Sequence, residues 1–252
     1  MNVIKPILKP LFSVGLFLVL AIALISCATQ EAAETASATS TPQSTSIVNA
    51  PMASSLPRLD GTATVELIVN GSPIRIEVDG TNAPITAGNF VDLVQKGVYD
   101  GTAFHRVVRD PEPFVVQGGD PQTKDPNVPP QMYGTGSYVD PETGLPRYIP
   151  LEIKPQGSNS EIVYSRTLED AKVDRPPVLM HQRGAVAMAR SQMPDSASSQ
   201  FYFALSDLGF LDGNYAVLGY VTEGMEVVDA IQQGDRIESA RVISGLENLK
   251  TP

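Results

Sequence analysis

The chain has 252 residues, of which 42% are hydrophobic, with 2 histidines, 1 cysteine and no tryptophan. That length suits one domain, or at most two small ones, and the composition supports a sizeable core. A single cysteine excludes an internal disulfide, a Cys-based zinc site and a CxxC redox pair, and two histidines argue against a multi-His metal site. The net charge of −10 argues against a nucleic acid partner and against adsorption of the folded part to anionic lipid.

Lys5 and Lys9 precede an apolar run from Leu11 to Ile25, broken only by Ser13 and Gly15. The run falls short of the ~20 residues that span a bilayer as a helix. A basic start, a short apolar stretch and a small residue before a cleavage point form the grammar of an export signal. The run ends Leu24-Ile25-Ser26-Cys27, which resembles a bacterial lipobox. That resemblance implies a lipoprotein-type signal peptide over residues 1–26 and lipidation of Cys27, palmitate included, with the membrane engaged through that lipid only. An ordinary secretory signal or an uncleaved anchor is the alternative. Residues 27–59 are rich in Ala, Ser, Thr and Gln without apolar periodicity, so they read as a disordered tether. Its reach is on the order of 30 Å.

Residues 60–252 read as the folded domain. Val65, Leu67 and Val69, then Ile74, Ile76 and Val78, alternate with polar neighbours around Asn70-Gly71, the pattern of a β-hairpin. Pro84 opens a helix in which Phe90, Leu93 and Val94 recur on one face, and Gly97 closes it. Strands follow at Ala103–Val108, Phe114–Gln117, Gly184–Ala189, Gln200–Leu205 and Tyr215–Val221. A second helix fits Met225–Gln232, with Val228 and Ile231 inward and Gly234 as its stop, before a last strand at Ala240–Ile243. Many short strands with two helices indicate a β-barrel or sandwich with helical caps. Between them lies an insertion, residues 121–183, that holds ten of the 21 prolines. Its prolines interrupt ladders, which makes it the expected least stable part, with short strands at Leu151–Ile153 and Ile162–Tyr164.

No nucleophile elbow, phosphate loop or zinc-protease motif is present, and Gly134-Thr-Gly136 lacks the third glycine of a dinucleotide loop. Four other segments stand out. They are Phe104-His105-Arg106-Val107-Val108; Val116-Gln117-Gly118-Gly119-Asp120; Gly184 to Arg190 running to Ser199-Gln200-Phe201-Tyr202-Phe203; and Leu211-Asp212-Gly213 with Ala216-Val217-Leu218-Gly219. In this order, with the Ala83-to-Phe90 helix start and Tyr99-Asp100-Gly101, they resemble the cyclophilin family of peptidyl-prolyl isomerases over about residues 62–246.

The resemblance implies a mainly β fold, a closed eight-stranded antiparallel barrel capped by two α-helices. It implies isomerisation of X-Pro bonds, with unfolded or Pro-containing polypeptides as partners, no cofactor, no metal and a monomer. Such a reaction breaks no covalent bond. It needs a pocket for the proline ring and donors that favour the twisted amide over both planar forms. By resemblance, Arg106 is the main catalytic residue, with Phe114 and Gln117 beside it. Val115, Ala189, Arg190, Gln200, Tyr202, Phe210, Leu211 and Tyr215 would bind substrate. His105 reads as structural, and His181 as packed or locally hydrogen-bonded. Three positions depart from the common eukaryotic pattern: Tyr202 stands where Phe is usual, Phe210 where the rim has Trp, and Tyr215 where His is found. Tyr202 would add a hydroxyl to an apolar pocket. Phe210 would weaken cyclosporin binding by lacking an N–H donor.

The leading expectation is an exported, lipid-anchored isomerase facing the periplasm, the cell exterior or a thylakoid lumen. The runner-up is a non-catalytic module that binds Pro-containing segments of a membrane-associated partner. A carbohydrate hydrolase with paired carboxylates has no motif to support it.

Overall fold

The computed structural model describes residues 55–252. The leader, Cys27 and the tether up to residue 54 lie outside the described residues. The tether expected over 27–59 gives way early. Leu56 is buried, and β1 (Arg58–Leu59) pairs antiparallel with β12 (Leu249–Lys250). Leu59 is fully buried, so the chain is already anchored there.

β2 (Thr62–Val69) and β3 (Ser72–Asp79) bury alternate residues, as their sequence pattern demands. Asn70 and Gly71 join them with φ of 50° and 72°, the positive pair that a two-residue hairpin with right-handed strand twist requires. Helix α1 (Pro84–Gln95) begins with proline at its first turn and has no side-chain cap from its own N-terminal residue, Ala83. It ends in a Schellman motif: the Gly97 N–H donates to the Val94 carbonyl (2.9 Å) and the Val98 N–H to that of Leu93 (3.0 Å). A Cβ at Gly88 would sit 2.5 Å from the Cα of Arg58, so only glycine lets α1 lie this close to β1.

The remaining long-range strands are β4 (Arg106–Val108), β5 (Val115–Gly118), β8 (Ala185–Met188), β9 (Phe201–Ala204), β10 (Val217–Glu223) and β11 (Ile237–Ser244). With β2 and β3 they form one antiparallel eight-stranded sheet in the order β11-β2-β3-β10-β8-β9-β5-β4. The expected closed barrel is corrected here: the sheet curls but stays open, with β4 and β11 as its edges. β4 has three residues, not the six expected from Ala103. The chain before it turns at Gly101, where φ is +81°. Residues 101–104 meet residues 234–237 through a few backbone bonds and one isolated bridge, Ala103 to Arg236, instead of a ladder. α2 (Met225–Ala230) is shorter than expected; Ile231 has left the helix but is buried like Val228.

The main core lies between this sheet and α1. Phe90, Tyr99 and Phe201 meet with ring centroids 5.2–5.3 Å apart. No helix among the described residues is long and apolar enough to cross a membrane.

Between β5 and β8 the chain makes a long excursion with two short 3-10 turns and one ribbon, β6 (Glu152–Ile153) against β7 (Val163–Tyr164). Tyr138 and Ile149 reach the main core, while Leu151, Ile153 and Leu168 form a small core with Ala216. Two side chains fasten the excursion to α1. Arg147 pairs with Asp92 at 2.7 Å. Glu152, buried, accepts from the backbone N–H groups of Ile85 (3.1 Å) and Thr86 (2.7 Å) and from the Thr86 hydroxyl (2.8 Å). The helix without a local cap thus receives one from β6. Burial holds the Glu152 carboxyl above the usual carboxylate range, against the pull of those bonds.

Candidate active site

One lateral row crosses five strands. Arg106 on β4 lies opposite Gln117 on β5, Gln117 opposite Tyr202 on β9, Tyr202 opposite Ala187 on β8, and Ala187 opposite Val217 on β10. Cross-strand partners share a face. The alternation that sends Val116, Phe203 and Val186 into the main core therefore sends this row to the other side of the sheet. There Val115, Tyr202, Ala204 and Leu208 form a second apolar cluster, with Phe114, Leu211 and Tyr215 packed against it. The result is an apolar hollow with one cationic edge.

Arg106 is that edge. It is solvent-exposed, and its guanidinium carbon lies 5.5 Å from the centre of the Phe114 ring, a cation–π placement. Its Nη1 donates to Gln117 Oε1 at 3.4 Å. Gln117 Nε2 in turn donates to Gln200 Oε1 (3.1 Å), and Gln200 Nε2 to the Gly136 carbonyl (2.8 Å). This relay fixes which end of each amide faces which partner and turns the Gln117 oxygen toward Arg106. The guanidinium has further N–H donors beyond the one that Gln117 takes, and they lie at the edge of the hollow.

The rim is aromatic. Phe210, 70% exposed, stacks on Phe114 with centroids 6.0 Å apart and planes 19° from parallel. Tyr215 meets Tyr202 edge-on at 6.2 Å, and the Arg190 guanidinium covers Tyr215 at 4.7 Å. Arg190 is further held by Nε to the Asn214 carbonyl (2.9 Å), so its side chain braces the rim. The Ala189 N–H is engaged by the Gln200 carbonyl at 2.9 Å. Beside Gln117, Gln200, Ala189 and Arg190 opens a cavity of about 270 Å³, whose far wall is Gly134–Ser137 and Tyr148 from the excursion. Every residue singled out from sequence for catalysis or substrate contact thus comes to this one face; Cys27 lies outside the described residues.

Four contributors to this face had no role assigned from the sequence. Asp120, buried, accepts from the backbone N–H groups of Gly134 (2.6 Å), Gly136 (3.2 Å) and Gln122 (2.9 Å), which folds the cavity's far wall over the site. A Cβ at Gly136 would lie 2.1 Å from Asp120 Oδ1, so any larger residue would displace the carboxylate that holds this turn. Gly134-Thr-Gly136 was visible in the sequence, but only as an incomplete nucleotide loop. Tyr148 and Asp212 carry no local signal of their roles.

Burial lowers the pKa of both histidines, which disfavours the charged imidazolium. The Tyr202 hydroxyl does not enter the apolar pocket as expected. It meets His181 Nε2 at 2.9 Å, and His181 Nδ1 meets Asp212 Oδ1 at 2.8 Å. His181 is therefore bonded far along the chain, not locally.

Comparison with known proteins agrees with this geometry. The family described as cyclophilin type peptidyl-prolyl cis-trans isomerase/CLD matches residues 64–247. A protein of Synechocystis sp. named as a thylakoid lumen peptidyl-prolyl cis-trans isomerase is 44% identical over 204 residues, 77% of this chain and 50% of its own length. The chloroplastic peptidyl-prolyl cis-trans isomerase CYP38 of Arabidopsis thaliana is 39% identical over 215 residues, 78% of this chain and 46% of its own. The chain spans about half the length of these curated relatives. A crystal structure of a Cryptosporidium parvum cyclophilin type peptidyl-prolyl cis-trans isomerase shares the fold, with a TM-score of 0.54, 23% identity, and coverage of 73% of this chain and 98% of that one.

Proposed function

This chain belongs to the cyclophilin type peptidyl-prolyl cis-trans isomerase family, and from that premise we propose that it accelerates X-Pro isomerisation in Pro-containing segments of folding polypeptides. One observation carries the reading: a guanidinium held against Phe114 at the edge of an apolar, aromatic-rimmed hollow.

The amide barrier of about 18–20 kcal/mol is resonance between the carbonyl and the prolyl nitrogen. Phe114, Leu211 and the face of Tyr202 offer the proline ring an apolar seat. Arg106 donates to the substrate beside that seat. As the bond twists, the nitrogen lone pair localises and becomes an acceptor that neither planar form presents. A fixed cationic donor therefore gains most in the twisted state, which is what lowers a barrier. Gln117 and Gln200 keep the donor aimed, and their own amides meet the peptide backbone on the cavity side. The non-catalytic reading has no observation of its own to favour it.

The relatives named for a thylakoid lumen and a chloroplast, with the leader's pattern, support an exported protein. Within that reading the chain is a lipoprotein held at the membrane by lipid on Cys27. Mass spectrometry of the mature N-terminus checks this: a diacylated Cys27 is expected, and an unmodified terminus elsewhere overturns it.

The activity is tested with Arg106→Ala in a protease-coupled assay on an Ala-Pro peptide. A loss of about 10²–10³ in kcat/KM is expected, with a thermal midpoint close to that of the unmodified protein, because Arg106 is exposed. An equal rate in the variant rejects the role.

A further inference from the structure

Tyr202 and His181 form a buried pair whose bonds reach both walls of the hollow. The His181 side chain is fully buried, and each of its polar atoms is engaged. Nδ1 and the backbone N–H both face Asp212 Oδ1 at 2.8 Å. Nε2 faces the Tyr202 hydroxyl at 2.9 Å. Its carbonyl accepts from the Leu208 N–H at 2.6 Å.

The direction of these bonds follows from donor and acceptor capacity. An ionised carboxylate only accepts, so Nδ1 carries the proton. In neutral imidazole Nε2 then accepts, so the Tyr202 hydroxyl donates. The phenol oxygen thus points away from the hollow, and the ring offers its face to the proline seat as a phenylalanine would. Unlike a phenylalanine, it is tied at its far end. The second tie matters equally. Leu208 and Asp212 bracket the turn that carries Phe210 and Leu211, so His181 fixes that turn as well. One side chain joins β9, which forms the floor of the seat, to the loop that forms its rim.

We propose that His181 is a positioning residue of the isomerase site: through the Tyr202 hydroxyl and the Asp212 carboxylate it sets the spacing between the floor and the rim of the proline seat. This rests on the isomerase reading above. His181 touches no substrate. Its contribution is to the seat that holds the proline in planar and twisted forms alike, so its loss weakens peptide binding more than turnover. Arg106 is anchored separately through Gln117.

The test uses the folded chain at a temperature well below every variant's unfolding midpoint, with an Ala-Pro peptide as probe. Turnover is read by the coupled assay and peptide Kd by NMR titration. His181→Leu should raise KM and Kd about five- to tenfold, the scale of one or two lost hydrogen bonds, with kcat within about twofold. His181→Gln, whose amide can accept from Tyr202 and donate to Asp212, should restore most of the affinity. Tyr202→Phe should weaken binding alone but add nothing in the His181→Leu background, because the two act through one bond. A His181→Leu protein with unchanged KM and Kd and only a lower unfolding midpoint overturns the proposal, as does a full additional loss from Tyr202→Phe in that background. If the unmodified protein lacks turnover, the isomerase reading fails, and the peptide titration alone decides the positioning role.

Discussion

β2 and β3 exchange backbone bonds along 8 residues each, whereas the chain between Gly118 and Ala185 has one two-residue ribbon and two isolated bridges of its own. The two regions meet the same requirement, that buried N–H and C=O groups find partners, by different means. In the sheet the backbone satisfies itself. In the excursion side-chain carboxylates do much of the work: Asp120 takes the N–H groups of Gly134 and Gly136, Asp140 that of Glu142, Asp195 that of Leu151, and Glu152 those of Ile85 and Thr86. The acidity that argues against a nucleic acid partner is thus also structural. Asp120 and Asp140 order turns outside any ladder, and Glu152 caps a helix.

If the sheet is the cooperative unit, breaking its core should unfold everything together. Phe201→Ala removes the ring at the centre of the aromatic cluster, and a loss of about 3–5 kcal/mol is expected. Circular dichroism and tyrosine fluorescence should report one shared midpoint. Separate transitions would place the excursion outside that unit.

The next largest effect should be local. Glu152→Gln keeps one acceptor but sets an N–H₂ group against the N–H donors of α1, at a cost of about 1–3 kcal/mol. Amide exchange should rise at Ile85, Thr86 and residues 152–164, while the β2–β3 ladder keeps its protection. Equal acceleration in the ladder would show that the excursion and the sheet open as one. In the unmodified protein, residues 121–183 should exchange faster than the ladder, but with protected islands at the N–H groups of Gly134 and Gly136.

The smallest effect is a shallow pH slope. His105 and His181 have pKa values lowered by burial, so the unfolded chain takes up protons first as pH falls below about 6.5. Stability should therefore fall with acidification through that window. Glu152, held above the usual range, acts in the opposite sense just above about pH 4.3. Urea midpoints at pH 7.5 and 5.5 check the histidine term, and His181→Gln should flatten the difference. An unchanged slope in that variant would assign the effect elsewhere.

The contrast also explains what could be read from the chain. Alternation around Asn70-Gly71 and the apolar spacing after Pro84 are local patterns, and the hairpin and α1 follow them. Arg106, Gln117 and Tyr202 lie on ladder strands whose register places them in one row, and Gln200 immediately precedes the last of these strands. The two-residue strands β1 and β12 are too short to show a period. The bonds of Asp120 to Gly134 and Gly136, of Glu152 to α1 and of His181 to Tyr202 and Asp212 span 14 or more positions, and no spacing announces such bonds. One indirect sign existed: Ala83 cannot cap the helix that Pro84 opens, and a helix start without a capping residue asks for a remote one. The open sheet escaped for a related reason, since closure depends on how β4 and the start of β11 approach, not on any residue within them.

The bond between Glu152 and the first turn of α1 also imposes an order of events on a chain made from its N-terminus. The β2–β3 hairpin and α1 emerge early, yet the residue that caps the helix lies 67 positions beyond Ile85. The outer partner of β2 is later still, since β11 begins at Ile237. Until then the hairpin has an unpaired edge and α1 an uncapped end. Both are weaknesses of an unfinished chain that depends on distant contacts, and such topologies fold slowly. The nascent N-terminal third must therefore wait, and a ribosome or translocation channel that shelters it until residue 152 has passed would shorten its exposure to wrong partners.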